Sequence, residues 1–123
     1  MQFNDERPIF LQLAQQLEDA ILSGVYEEES QVPSITEYSV NYKINPATAL
    51  KGINLLVDDG LLYKKRGVGM FVAPGARQKL LARRREGFYQ AYVRKLVREG
   101  RQLGLSNAEL TEMLKRSLEE DVD

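Results

Sequence analysis

Five of the six basic side chains in the first 73 residues fall between Lys43 and Arg66: Lys43, Lys51, Lys64, Lys65 and Arg66. Such a local concentration suits a polyanion, whatever the overall charge. Lys64-Lys65-Arg66 runs into Gly67 and Gly69, so it would form a narrow cationic tip able to follow a minor groove or a phosphate backbone. Upstream, Asn45 and Thr48 can donate or accept at a base edge, and Lys51 can act as a point charge. Each group also has a plainer reading. The first is a charged, soluble hairpin turn; the second is a solvated helix face with an N-cap. Their place in the chain decides between these readings.

The chain has 123 residues, 43% hydrophobic and 28% charged, which are the proportions of a globular protein. It has no histidine and no cysteine, so the commonest general base, metal ligand and strong nucleophile are all absent. Many carboxylates lie in runs such as Glu27-Glu28-Glu29 and Glu119-Glu120-Asp121, the pattern of a solvated surface. Neither an enzyme nor a cofactor or metal is expected. No apolar run approaches the roughly 20 residues that span a bilayer, so no membrane is expected as partner and the cytoplasm is the expected location. The net charge of −1 hides an asymmetry, with residues 1–73 acidic overall and residues 74–123 basic.

The elements that would position the cations can be read from periodicity and caps. Ile9, Phe10, Leu13, Leu17, Ala20 and Ile21 form one apolar stripe, with Pro8 in the first turn and Gly24 as the stop. An acidic, turn-like stretch leads to Pro33. Ser34-Ile35-Thr36-Glu37 reads as a capping box opening a short helix with Ile35, Tyr38 and Tyr42 inward. Asn45-Pro46 restarts a helix after a tight turn, with Leu50, Ile53, Leu56 and Val57 inward and Gly60 at its end. Two capped helices across such a turn form a helix-turn-helix. Leu61–Lys65 and Met70–Ala73 then read as the strands of a wing.

From Ala76 to Leu103 the pattern is helical and basic, with Gly87 and Gly100 as points of kink or break. Ser106-Asn107-Ala108-Glu109 is a second capping box, opening a last helix. Leu81, Phe88, Tyr92 and Leu96 on the first tail helix, and Leu110, Met113, Leu114 and Leu118 on the second, form apolar faces suited to dimerisation. Arg83-Arg84-Arg85 reads as a solvated face or a source of interhelical ion pairs. The expected fold is mainly α: a winged helix-turn-helix over residues 1–74 and a two-helix dimerisation element over residues 75–123.

The run from Pro8 to Ala73 resembles the DNA-binding domain of the GntR family of bacterial regulators. The resemblance rests on Pro8-Ile9-Phe10-x-Gln12-Leu13-Ala14, Ile21-Leu22-Ser23-Gly24 and Val32-Pro33-Ser34. It continues through Leu55-Leu56-Val57-Asp58-Asp59-Gly60-Leu61-Leu62-Tyr63 and Arg66-Gly67-Val68-Gly69-Met70-Phe71-Val72. Asn45-Pro46-Ala47-Thr48 and the short tail, linked by Leu103-Gly104-Leu105-Ser106, are similar to the YtrA-type subgroup, extending the resemblance over nearly the whole chain. It implies a homodimeric regulator, most simply a repressor, acting on a pseudo-palindromic operator in double-stranded DNA. The residues it turns toward DNA are Ser34, Thr36, Lys43, Asn45, Pro46, Ala47, Thr48, Lys51, Lys64, Lys65, Arg66, Gly67 and Gly69. The family holds arginine at the position of Thr36, and glycine at those of Glu29 and Lys43.

Three rival readings stand beside this one. The acidic first 42 residues and Thr36 suit a winged-helix module that binds protein in place of DNA. A DNA binder with a small-molecule effector at the dimer interface would need a convergent polar pocket, and none is visible in the sequence. A carboxylate-based hydrolase would need a positioned acid pair, equally absent.

Overall fold

The computed structural model describes residues 3–121 and divides into two compact units, Met1–Ala82 and Arg83–Asp123. The first unit extends past Pro74 because Ala76 and Leu80, on the first turns of the next helix, sink fully into its core.

In the first unit, helix α1 spans Ile9–Ser23. Pro8 stands one place earlier than expected, at the N-cap, where its carbonyl accepts from the amides of Leu11 and Gln12. Gly24 ends the helix in the left-handed region at φ 85°, a conformation that costs glycine nothing. Helix α2 spans Ile35–Tyr42 and α3 spans Pro46–Asp58. Leu13 and Leu17 from α1, Tyr38 from α2, and Ile53 and Leu56 from α3 meet in one core, each essentially inaccessible. Burial pushes the Tyr38 phenol well above its ordinary pKa, and the neighbouring Tyr26 pushes it the same way.

The inward face of α3 differs from the expected one. Ala49, Gly52, Ile53 and Leu56 are buried, whereas Leu50 is 43% exposed. Gly52 explains the rotation. A β-carbon there would lie 2.8 Å from the Phe10 carbonyl oxygen and against Leu13, so α1 and α3 cross at the closest approach that glycine allows.

Strands β1 (Leu62–Lys65) and β2 (Gly69–Val72) pair antiparallel, with Tyr63 opposite Phe71 and Lys65 opposite Gly69. The acidic stretch before Pro33 adds pairing that its turn-like composition hides. The Glu29 amide donates to the Val72 carbonyl at 2.7 Å, the Val32 amide donates to Met70, and Gln31 bridges Phe71. This seam stabilises a hairpin that would be marginal alone.

In the second unit, Tyr89–Val93 forms a π-helical turn after α4 (Ala76–Phe88), followed by α5 (Arg94–Gln102). Neither Gly87 nor Gly100 breaks the helix. Gly100 is instead a packing contact: it is buried, and a β-carbon there would collide with Leu110 on α6 (Asn107–Glu120). The connection is tight. Gly104 turns at φ 75°, and the Leu105 amide donates back to the Gly100 carbonyl at 2.9 Å. The Arg101 guanidinium spans the turn, donating to Asn107 Oδ1 at 2.5 Å. At the start of α6, Ser106 and Glu109 form the expected capping box, and its hydrogen bonds lower the Glu109 carboxyl pKa.

Candidate nucleic-acid interface

Most of the cations and polar groups singled out by sequence are held by three pieces of the first unit, the start of α2, the outer face of α3 and the wing, while Lys43 and Asn45 stand on the turn between the two helices. At the first, the Ser34 hydroxyl accepts from the Glu37 amide at 3.0 Å while the Glu37 carboxylate accepts from the Ser34 amide at 3.2 Å. This reciprocal cap presents Thr36 on the exposed first turn.

The turn into α3 is built on Lys43, which holds φ 53° and ψ 45°. Glu29 likewise sits at φ 66°. These are the two positions where the resembling family keeps glycine, so both side chains occupy backbone that favours residues without a β-carbon. The Ser39 hydroxyl donates to the Ile44 carbonyl at 2.7 Å and closes the turn. Asn45 Oδ1 then accepts from the Ala47 amide at 2.8 Å, so its carbonyl oxygen serves the helix and its Nδ2 is the group left to reach outward. Pro46 follows at the first helical position.

Lys51 projects from the next turn with its Nζ 4.1 Å from the centre of the Phe10 ring. On the wing, Lys65 Nζ lies 4.5 Å from the centre of the Phe71 ring, which itself stacks on Tyr63 at 5.9 Å. Two of the cations therefore rest on phenylalanine faces, which hold them by cation–π attraction. Lys64, Lys65, Arg66 and Gly67 are all exposed at the tip. The tip is pinned from beneath by the Gln31 side chain, whose Nε2 donates to the Val68 carbonyl at 3.0 Å.

Between these pieces runs a groove of about 340 Å³ lined by residues of all three. It brings together Ser34, Thr36, Lys64 and Gly69 from the sequence-derived set, along with Gln31, Leu50 and Asn54, which sequence reasoning missed. A second hollow of about 300 Å³, on the other flank of Leu50 and Asn54, is lined by these two with Ala47 and Lys51, among others. Lys43, Asn45, Pro46, Thr48, Lys65, Arg66 and Gly67 line neither hollow. Thr48 is half-buried. For Gln31 and Asn54 an exposed amide was the only local signal, and it is a weak one.

The sequence-derived dimerisation set divides between the two units. Leu81 is half-buried and belongs to the first, beside the core residue Leu80. In the second unit Phe88 and Tyr92 lie 5.3 Å apart and are each at least 60% exposed. A hollow of about 350 Å³ is lined by Tyr92, Leu96, Leu110 and Met113 with Leu103 and Leu105. Leu114 and Leu118 continue the apolar face along α6, both exposed. Among the described residues no helix is long and apolar enough to cross a membrane, and no cluster of three His, Cys, Asp or Glu side chains could hold a metal ion.

Comparison with known proteins gives matches over both units. The profile of the bacterial regulatory proteins of the gntR family matches residues 10–72. The uncharacterized HTH-type transcriptional regulator YhcF of Bacillus subtilis is 28% identical over 120 residues, covering 93% of each chain. From the same organism, the HTH-type transcriptional repressor NagR is 32% identical over 74 residues, 60% of this chain and 30% of its own. YtrA, also a B. subtilis repressor, is 28% identical over 74 residues, 60% of this chain and 57% of its own. The chain thus spans under a third of NagR, as it does of the B. subtilis regulator YurK. Among solved structures, a GntR-family protein from Bacteroides thetaiotaomicron superposes with a TM-score of 0.74 at 36% identity, covering 91% of this chain and 97% of that one. The DNA-binding domain of AraR, solved in complex with operator ORR3, superposes with a TM-score of 0.54 at 27% identity, covering 59% of this chain and 88% of that one.

Proposed function

The chain belongs to the GntR family of bacterial regulatory proteins, and from that premise we propose that it is a transcriptional repressor acting as a homodimer on a pseudo-palindromic operator. Residues 1–74, with their core completed by the first turns of α4, are the DNA-binding domain, and residues 75–123 carry the dimerisation element. The observation that carries this reading is the convergence of the α2 cap, the outer face of α3 and the cationic wing on one groove. A winged helix-turn-helix uses these three parts to touch phosphate, base edges and the adjacent groove. Two repressors, NagR and YtrA, lie among its relatives, and the AraR domain it resembles was solved on operator DNA.

A net-acidic protein can bind DNA because binding strength follows local phosphate contacts, not total charge. Lys43, Lys51, Lys64, Lys65 and Arg66 supply that local charge. The affinity of the full chain for duplex DNA should fall steeply with salt. Lys65→Ala combined with Arg66→Ala should flatten the slope of log affinity against log salt by about one unit per lost phosphate contact per subunit. Arg84→Ala with Arg85→Ala should leave it nearly unchanged. Salt titrations of the three proteins check this. A slope that answers to Arg84 and Arg85 and ignores the wing would move the DNA surface elsewhere. Absence of salt-dependent duplex binding would leave the protein-binding module as the better reading.

A further inference from the structure

We propose that Leu50 and Asn54 form the base-reading stripe of α3, with Leu50 against the methyl group of a thymine and Asn54 paired to an adenine edge within about two base-pair steps of it. The inference rests on the DNA-binding reading above and adds which bases are read. Its starting point is the rotation of α3 about the Gly52 contact, which buries Ala49, Ile53 and Leu56 and turns Leu50 outward. A single exposed leucine is ordinary. This one is flanked by hollows on both sides, each lined by Leu50 and Asn54 together, so the pair stands as a ridge between two concave strips.

The other residues on this face offer less to a base edge. Ala47 carries a single methyl, Asn45 commits its Oδ1 to the helix cap, Thr48 is half-buried, and Lys51 is a point charge suited to phosphate. Leu50 offers no hydrogen bond, and the apolar feature that a base pair presents in the major groove is the thymine methyl. An asparagine amide, one donor and one acceptor in a plane, matches the N6 and N7 edge of adenine. Four residues along a helix span about 6 Å, close to two base-pair steps.

The test uses the full chain and a duplex that it selects from a randomised pool. In one half-site each thymine is replaced singly by deoxyuridine, which removes only the methyl, and each adenine by 7-deazaadenine, which removes only N7. One deoxyuridine should weaken wild-type binding about fourfold and cost Leu50→Ala nothing. One 7-deazaadenine, within two steps of that thymine, should weaken wild type about tenfold and cost Asn54→Ala nothing. Because the changes are made in the DNA, a folding defect in a variant cannot imitate the result. Deoxyuridine sensitivity that is absent from wild type, or that survives unchanged in Leu50→Ala, overturns the assignment, as does a selected half-site without the thymine–adenine pair. Failure to select any duplex would overturn the DNA-binding reading itself.

Discussion

The two units are built from similar amphipathic patterns and end in opposite states. In the first, the stripes of α1 and α3 close on each other, and Leu13, Leu17, Leu56 and Leu80 are inaccessible. In the second, Gly100 lets α6 settle on α5, yet Leu103 stays 77% exposed and Leu118 69%. Three helices and a hairpin can enclose a core, whereas two helices have only one face to offer each other. A hydrophobic stripe therefore says that something must cover it, and the number of neighbouring elements says whether the chain itself can. The uncovered stripe of α6 is the physical argument for a second copy.

The sharpest way to break this comparison is to remove one leucine from each unit. Leu17→Ala should cost about 2–5 kcal/mol of unfolding free energy, through lost burial and a residual cavity. Leu114→Ala should change the unfolding of the first unit by no more than about 0.5 kcal/mol while shifting the protein toward monomer. Chemical denaturation and sedimentation velocity read the two effects. Equal destabilisation by both variants would mean that the second unit is not an open surface.

A smaller effect comes from Tyr38. Its folded pKa is raised, so the neutral phenol contributes stability that is fully present below the ordinary value near 10 and is lost as pH rises above it. The wild-type melting temperature should decline on passing pH 10, and Tyr38→Phe should blunt that decline without changing the oligomeric state. A decline of the same steepness in Tyr38→Phe would place the alkaline sensitivity elsewhere.

The smallest effect expected is at Lys43. Lys43→Gly relieves a left-handed lysine, which costs about 1–2 kcal/mol, but makes the unfolded chain more flexible, so a net gain of about 0.5–1 kcal/mol is expected. The same change removes a proposed phosphate contact and should flatten the salt slope. Stability and affinity would then move in opposite directions within the closed unit, with dimerisation untouched. Denaturation midpoints and DNA titrations separate the two. A stability loss in Lys43→Gly would show that the lysine side chain holds the turn.

The parts of this molecule legible in sequence are those whose partners lie within a few residues. Both capping boxes, Ser34 with Glu37 and Ser106 with Glu109, stand where the spacing puts them, as does the Asn45 cap. The wing strands begin or end within one residue of expectation. What escaped depends on contacts between distant segments. The α3 stripe was displaced because Ala49 and Gly52 are too small to register as hydrophobic, although their smallness is what lets α1 approach. The Gln31 bridge to Phe71 and the Gly100 contact with Leu110 were invisible for the same reason. In the candidate site the cations were legible as charges. Their phenylalanine supports at Phe10 and Phe71 were not, because ring contacts leave no periodic trace.

The π turn at Tyr89–Val93 works as a phase shifter. Each residue of an α-helix advances the face by about 100°, and a π turn absorbs one residue without that advance. Phe88 just before it, Tyr92 within it and Leu96 after it are all exposed, and the turn sets the angle between them. Wound instead as a regular α-helix, the same residues would swing everything after the segment by about a quarter turn relative to Phe88, although every apolar side chain remained. In this stretch the winding of the backbone, as much as the identity of the residues, sets which way the surface points.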